Sequence, residues 1–136
     1  MEEWEIVLKG SKRFRELLQR EAERYGLSYS DVQVLYFLSQ EGELNVSRLA
    51  TLVDVNKSTM VEILDKLERD NLIIRNRDTV DRRVVKVRVT DMGLTVLKEV
   101  RAKYKDLIED LLSKVDREKV IEFFKIIISE TKVKVS

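Results

Sequence analysis

Apolar residues change their spacing twice along this chain, and that change sets the architecture. Up to Leu67 they recur at steps of three, four and seven, as one face of a helix requires. Between Leu72 and Val89 the step falls to two, with Val85, Val87 and Val89 separated by Lys86 and Arg88, which marks a half-buried strand. Beyond Thr90 the helical step returns. The expected fold is therefore α+β and mainly helical, with one short β element enclosed between helices.

The first helical stretch, about Glu3 to Arg24, carries Val7, Phe14, Leu17 and Leu18, with Tyr25 just beyond it and Gly26 as a natural stop. Ser28 to Asp31 offers capping oxygens to a second helix with Val32, Leu35, Tyr36 and Leu38, which Glu41-Gly42 ends. After an extended piece at Leu44, Ser47 is the expected cap of a helix holding Leu49, Ala50, Leu52 and Val53. Asp54 to Asn56 reads as a tight turn. A helix from about Lys57 to Asp70 follows, with Met60, Ile63, Leu64 and Leu67 facing inward. Leu72-Ile73-Ile74 opens a strand, Val85 to Val89 supplies its partner, and Arg77 to Arg83 forms the tip between them. Thr90 caps a helix from Asp91 to Ser113, roughly 30 Å or more in length at about 1.5 Å per residue. Its Leu97, Val100, Tyr104, Leu107 and Leu111 step like a short coiled-coil seam. Asp116 starts a last helix with Val120, Phe123, Phe124 and Ile126 to Ile128.

Composition removes most chemistry. The 136 residues include no cysteine and no histidine, so thiol nucleophiles, thiolate or imidazole metal sites and the usual general base near neutral pH are missing. Four isolated glycines make no phosphate-cradling loop. Carboxylate pairs such as Glu109-Asp110 sit on adjacent helix positions and point in different directions. The expectation is no enzyme, no cofactor and no metal. No apolar run approaches the ~20 residues that span a bilayer, and Met1-Glu2-Glu3-Trp4 is acidic, unlike a signal peptide. A soluble, cytoplasmic protein without membrane contact is expected.

A net charge of +1 does not advertise a nucleic-acid partner, but its distribution does. Arg75, Arg77, Arg82, Arg83, Lys86 and Arg88 crowd the hairpin, opposed there only by Asp78 and Asp81. Immediately upstream, Val46 to Leu67 has the pattern of two short helices across a tight turn, with Ala50 small where they approach and Asp54 at the turn, a residue that tolerates left-handed backbone. The exposed start of the second helix is Asn56, Lys57, Ser58 and Thr59, with Glu62 one turn on. A helix fits the major groove, and the N-terminal residues of a recognition helix reach base edges and phosphates. A narrow minor groove attracts an inserted guanidinium. Asp81, two residues before Arg83, is placed to hold that guanidinium through a bidentate pair. Together these elements predict a winged helix-turn-helix that grips adjacent grooves of duplex DNA. The rival reading is a protein-interaction adaptor docking through the winged domain, which a basic rather than apolar wing disfavours.

The residues resemble those of the MarR family of transcriptional regulators. The resemblance rests on Lys57 to Glu68, on Leu72-Ile73-Ile74-Arg75, on Asp81-Arg82-Arg83 and on Val89-Thr90-Asp91-Met92-Gly93, in that order. It implies a homodimeric repressor on a pseudo-palindromic operator, with recognition helices roughly 34–36 Å apart. It further implies an N-terminal dimerisation helix (1–27), a DNA-binding domain (28–90) and C-terminal dimerisation helices (91–136). Arg83 would probe the minor groove, and Asn56 to Glu62 would face the major groove. Release by a small aromatic anion is a further implication, with Tyr36, Tyr104, Arg13, Arg20 and Arg24 as candidate contacts between the dimer helices and the winged lobe. Two departures stand out: Val61-Glu62 replaces a common Thr-Arg, so base preference does not transfer, and Asn71 replaces a common glycine before the strand.

Overall fold

The structure, a computed structural model, describes residues 1–130, so residues 131–136 of the C-terminal stretch lie outside the described residues. The order is α1 (Glu3–Glu23), α2 (Tyr29–Glu41), β1 (Leu44–Asn45), α3 (Val46–Val53), α4 (Lys57–Arg69), β2 (Ile73–Arg77), β3 (Val85–Val89), α5 (Asp91–Leu112) and α6 (Arg117–Glu130). The chain divides within α5 into two compact units, residues 1–101 and 102–136.

In the first unit, the helix ends follow local chemistry. Gly26 adopts φ +71°, and the Leu27 amide returns to the Ala22 carbonyl at 3.1 Å, closing α1. Ser28 and Asp31 cap α2 reciprocally: the Asp31 amide donates to Ser28 Oγ (3.0 Å) and the Ser28 amide to Asp31 Oδ2 (2.8 Å). Asp31 is buried, and Lys66 of α4 reaches both its carboxylate (2.8 Å) and the Gly26 carbonyl (2.6 Å). That ammonium pins α4 to the α1–α2 corner. The core lies beneath it, with Leu35, Leu38, Leu49, Met60, Leu64, Leu67, Ile73 and Val87 fully buried.

Two expectations need correcting. Asn45, not Ser47, caps α3, its Oδ1 accepting from the Arg48 amide at 2.7 Å. The reason is β1, whose pairing with β3 (Leu44 opposite Val87, Asn45 opposite Lys86) delivers the chain directly into the helix. The hairpin tip begins at Asp78, because β2 continues through Arg77, which lies opposite Val85. Val7 is exposed together with Trp4, Ile6 and Leu8; α1 reaches the core only at Leu18 and Ala22.

The three strands form an antiparallel sheet in the order β1-β3-β2. Asp54 and Asn71 both adopt left-handed backbone (φ 61° and 62°), as their residue types permit. The start of α5 is pressed onto the sheet at Gly93, where an added Cβ would lie 2.2 Å from the Leu72 carbonyl oxygen and 2.6 Å from a Val89 methyl. Thr90 locks the junction, its Oγ donating to the Asn71 carbonyl (2.7 Å) and accepting from the Gly93 amide (3.0 Å).

In the second unit, Asp116 Oδ1 accepts from the Lys119 amide near the start of α6, and the Arg117 guanidinium pairs with Glu109 of α5. The α6 residues Ile121, Phe123, Phe124, Ile126, Ile127 and Ile128 are all exposed. A helix that displays six large apolar side chains is unfinished as a lone surface.

Candidate nucleic-acid interface

Helices α3 and α4 are joined by Asp54, Val55 and Asn56, and the left-handed Asp54 lets the chain reverse without a glycine. Asn56 is the N-cap of α4: its Oδ1 accepts from the Thr59 amide (2.7 Å) and from Ser58 Oγ (2.8 Å). The carboxamide oxygen of Asn56 is thus engaged in capping, and its NH2 group is what it retains for an external partner. Lys57, Ser58 and Glu62 are exposed and Thr59 is half-buried, while Met60, Leu64 and Leu67 fill the core side of the same helix. An amphipathic helix so divided presents its first turn outward.

The wing is stiffened by its own backbone. The Asp78 amide donates to the Val84 carbonyl (2.8 Å) and the Val84 amide to the Asp81 carbonyl (3.0 Å), and the Arg77 side chain adds a bond from Nη1 to the Arg82 carbonyl (2.9 Å). At the tip the expected pair is present: Arg83 Nε and Nη2 donate to Asp81 Oδ1 (3.0 Å) and Oδ2 (3.1 Å). This bond holds the Asp81 carboxyl below its ordinary pKa and raises that of Arg83. The pair orients the Arg83 side chain, which is 91% exposed, so its remaining donors are open to solvent.

The six basic residues of the hairpin are not equivalent. Arg75 Nη2 bridges Asp65 (2.8 Å) and Glu68 (2.9 Å) of α4, which lowers the Glu68 pKa chiefly through the side-chain hydrogen bond. Arg75 therefore joins the recognition helix to the first wing strand, and its side chain is only 22% exposed. Lys86 lies 3.7 Å from Glu43 and 3.9 Å from Asp78, and Arg88 lies 4.0 Å from Glu43. Counting charge within the hairpin overlooked Asp65, Glu68 and Glu43, which other elements bring in. Arg77, Arg82, Arg83 and Arg88 are exposed, Arg83 at 91% and Arg88 at 60% of its side chain.

The candidate effector residues separate. An open cleft of about 1030 Å³ is lined by α1, the start of α2 and the α3–α4 turn, and it includes Arg20. Arg13 and Arg24 do not line it; they pair with Glu16 and Glu21 along α1. Tyr36 is absent from the lining and packs edge-on against Phe37. Tyr104 belongs to the second unit. The cleft instead offers Lys12, Arg15 and Tyr29, which the sequence reading passed over although Lys12, Arg15 and Gln19 recur at helical spacing.

A helix-turn-helix followed by an antiparallel hairpin defines a winged helix-turn-helix protein. The pattern of the MarR family matches residues 27–85. Over 100 residues the chain is 34% identical to the transcriptional repressor MdtR of Bacillus subtilis, covering 74% of this chain and 64% of MdtR. The match to the regulator SarZ of Staphylococcus epidermidis covers 47% of that protein, so the aligned stretch spans about half to two-thirds of these curated relatives. Among solved structures, the transcriptional regulator BldR of Sulfolobus solfataricus is 30% identical, with 96% of this chain and 99% of BldR covered and a TM-score of 0.76. NadR in complex with 4-hydroxyphenylacetate shares the fold at 16% identity, with 94% of this chain and 91% of NadR covered and a TM-score of 0.77. The chain belongs to the MarR family of transcriptional regulators, which are DNA-binding regulators and not enzymes. Among the described residues, no helix is long and apolar enough to cross a membrane, and no cluster of metal-type ligands occurs.

Proposed function

We propose that this protein is a sequence-specific regulator of transcription that binds double-stranded DNA as a homodimer on a pseudo-palindromic operator and acts, in the cytoplasm, as a repressor. The observation that carries this reading is the Asp81-held Arg83 at the wing tip, in the same unit as the outward first turn of α4. In it, Lys57, Ser58, Thr59 and Glu62 meet the major groove and Arg83 enters the minor groove. Arg77 and Arg82 meet phosphates, and Arg75 serves as a strut rather than a contact. Exposed apolar faces on α1 and α6 support self-association through residues 1–27 and 91–136, leaving 28–90 to DNA. A small aromatic anion is the proposed effector, with Arg20 and Tyr29 as its most favourable contacts.

The test is a titration of wild type and Arg83→Ala with a duplex recovered from a random pool. Arg83→Ala should weaken binding while leaving the fold and assembly state unchanged. Log affinity should fall against log salt with a slope of about −0.9 for each phosphate neutralised. Unchanged affinity for the variant refutes the minor-groove role. Failure to retain any duplex at low salt refutes the DNA reading and returns the adaptor reading.

A further inference from the structure

Helix α4 carries three carboxylates, and the fold treats them differently. Asp65 and Glu68 are both bonded by Arg75. Lys66, the basic residue nearest in sequence, is turned away to Asp31 and the Gly26 carbonyl. Glu62 is exposed, and its carboxylate has no hydrogen bond or ion pair among the described residues. It lies one turn after Ser58, on the outward side of the helix, beside Val61, which offers only methyl groups. A bare carboxylate on a surface that faces a polyanion opposes binding unless it meets a hydrogen-bond donor.

Phosphates and sugar oxygens cannot supply that donor. In the major groove, guanine and thymine present acceptors, and thymine adds a methyl group. Adenine has an amine, but the N7 acceptor beside it suits a carboxamide, which both donates and accepts. Cytosine presents its N4 amine with no adjacent acceptor on the same base, which suits a group that only accepts.

We propose that Glu62 reads a cytosine, so that each half of the operator carries a C·G pair opposite the middle of α4. This rests on the DNA-binding reading above and adds the base chemistry that it selects. Arg75 pairs with the other two carboxylates of α4, and the cytosine N4 amine supplies the hydrogen bond that the Glu62 carboxylate lacks within the protein.

The experiment uses the full chain. A duplex is selected from a random pool by the wild type. That duplex and its three single-pair variants at each position beneath α4 are then titrated with wild type, Glu62→Gln and Glu62→Ala. One C·G pair per half-site is expected, and replacing it by T·A should weaken the wild type about five- to tenfold. Glu62→Gln should move the preference at that pair towards A·T. Glu62→Ala should abolish the preference and raise affinity for unrelated duplex. Wild-type binding with no position whose preference changes in either variant overturns the cytosine assignment and leaves the DNA reading standing. No selectable duplex at low salt overturns both.

Discussion

Replacing Gly93 with alanine sets two effects against each other, and the structure decides between them. Gly93 stands in the first turn of α5, where alanine gains about 1 kcal/mol in helix propensity. Its Cβ, however, would stand 2.2 Å from the Leu72 carbonyl oxygen, against 3.4 Å for an ordinary contact. The obstacle is main chain, so α5 must lift by about 1 Å. Overpacking of this kind costs about 1–3 kcal/mol. The same movement stretches the Thr90 Oγ bond to the Gly93 amide, and losing a cap costs about 1 kcal/mol. The net expectation is a loss of about 1–3 kcal/mol, which lowers the urea midpoint by about 1 M at ordinary m-values. Gly10 is the control: no atom lies within 4 Å of its added Cβ, and it sits in the middle of α1. Gly10→Ala should stabilise by about 0.5–1 kcal/mol. Both variants are compared by urea unfolding at one protein concentration, since self-association shifts apparent stability. A Gly93→Ala protein as stable as wild type would refute the steric argument.

The Arg75 bridge gives a pH signature. Its folded-state effect is to depress the Glu68 pKa, so its stabilisation is complete above the unfolded glutamate value of about 4.3 and is lost as pH falls through the depressed folded value. Arg75→Ala should therefore lower the urea midpoint near neutrality and flatten its decline on acidification; an acid limb parallel to wild type would contradict this. On α6, Phe123 and Ile127 lie one turn apart on an exposed apolar helix. Replacing both by glutamate should weaken self-association by more than about 100-fold, since each buried side chain contributes about 1.5–3 kcal/mol. Sedimentation that still shows a dimer at micromolar concentration would remove α6 from the proposed interface.

Local chemistry was legible in the sequence wherever it was self-contained. The Gly26 stop, the Ser28 cap, the Asp54 reversal and the Thr90 cap each act within a few residues, and each is found where the residue types placed it. The Asp81–Arg83 pair belongs to this class because only one residue separates its partners. Interactions between distant segments were not legible. Ser47 looked like the cap of α3, and Asn45 takes that place because β1 pairs with β3. Arg75 looked like one more cation of the wing because nothing in the hairpin names Asp65 and Glu68 as its partners. Arg20 lines the cleft and Arg13 and Arg24 do not, a division visible only once α2 and the α3–α4 turn lie against α1.

The Arg75 strut has a mechanical consequence. Arg75 ties α4 to β2, so a tilt of the recognition helix relative to the wing must break its pairs with Asp65 and Glu68. In the proposed complex, a rotation that withdraws one element from its groove would pull on the other through these pairs, so the lobe would release DNA more abruptly than it would without them. Cutting the strut while leaving both proposed contact surfaces intact should make that release more graded.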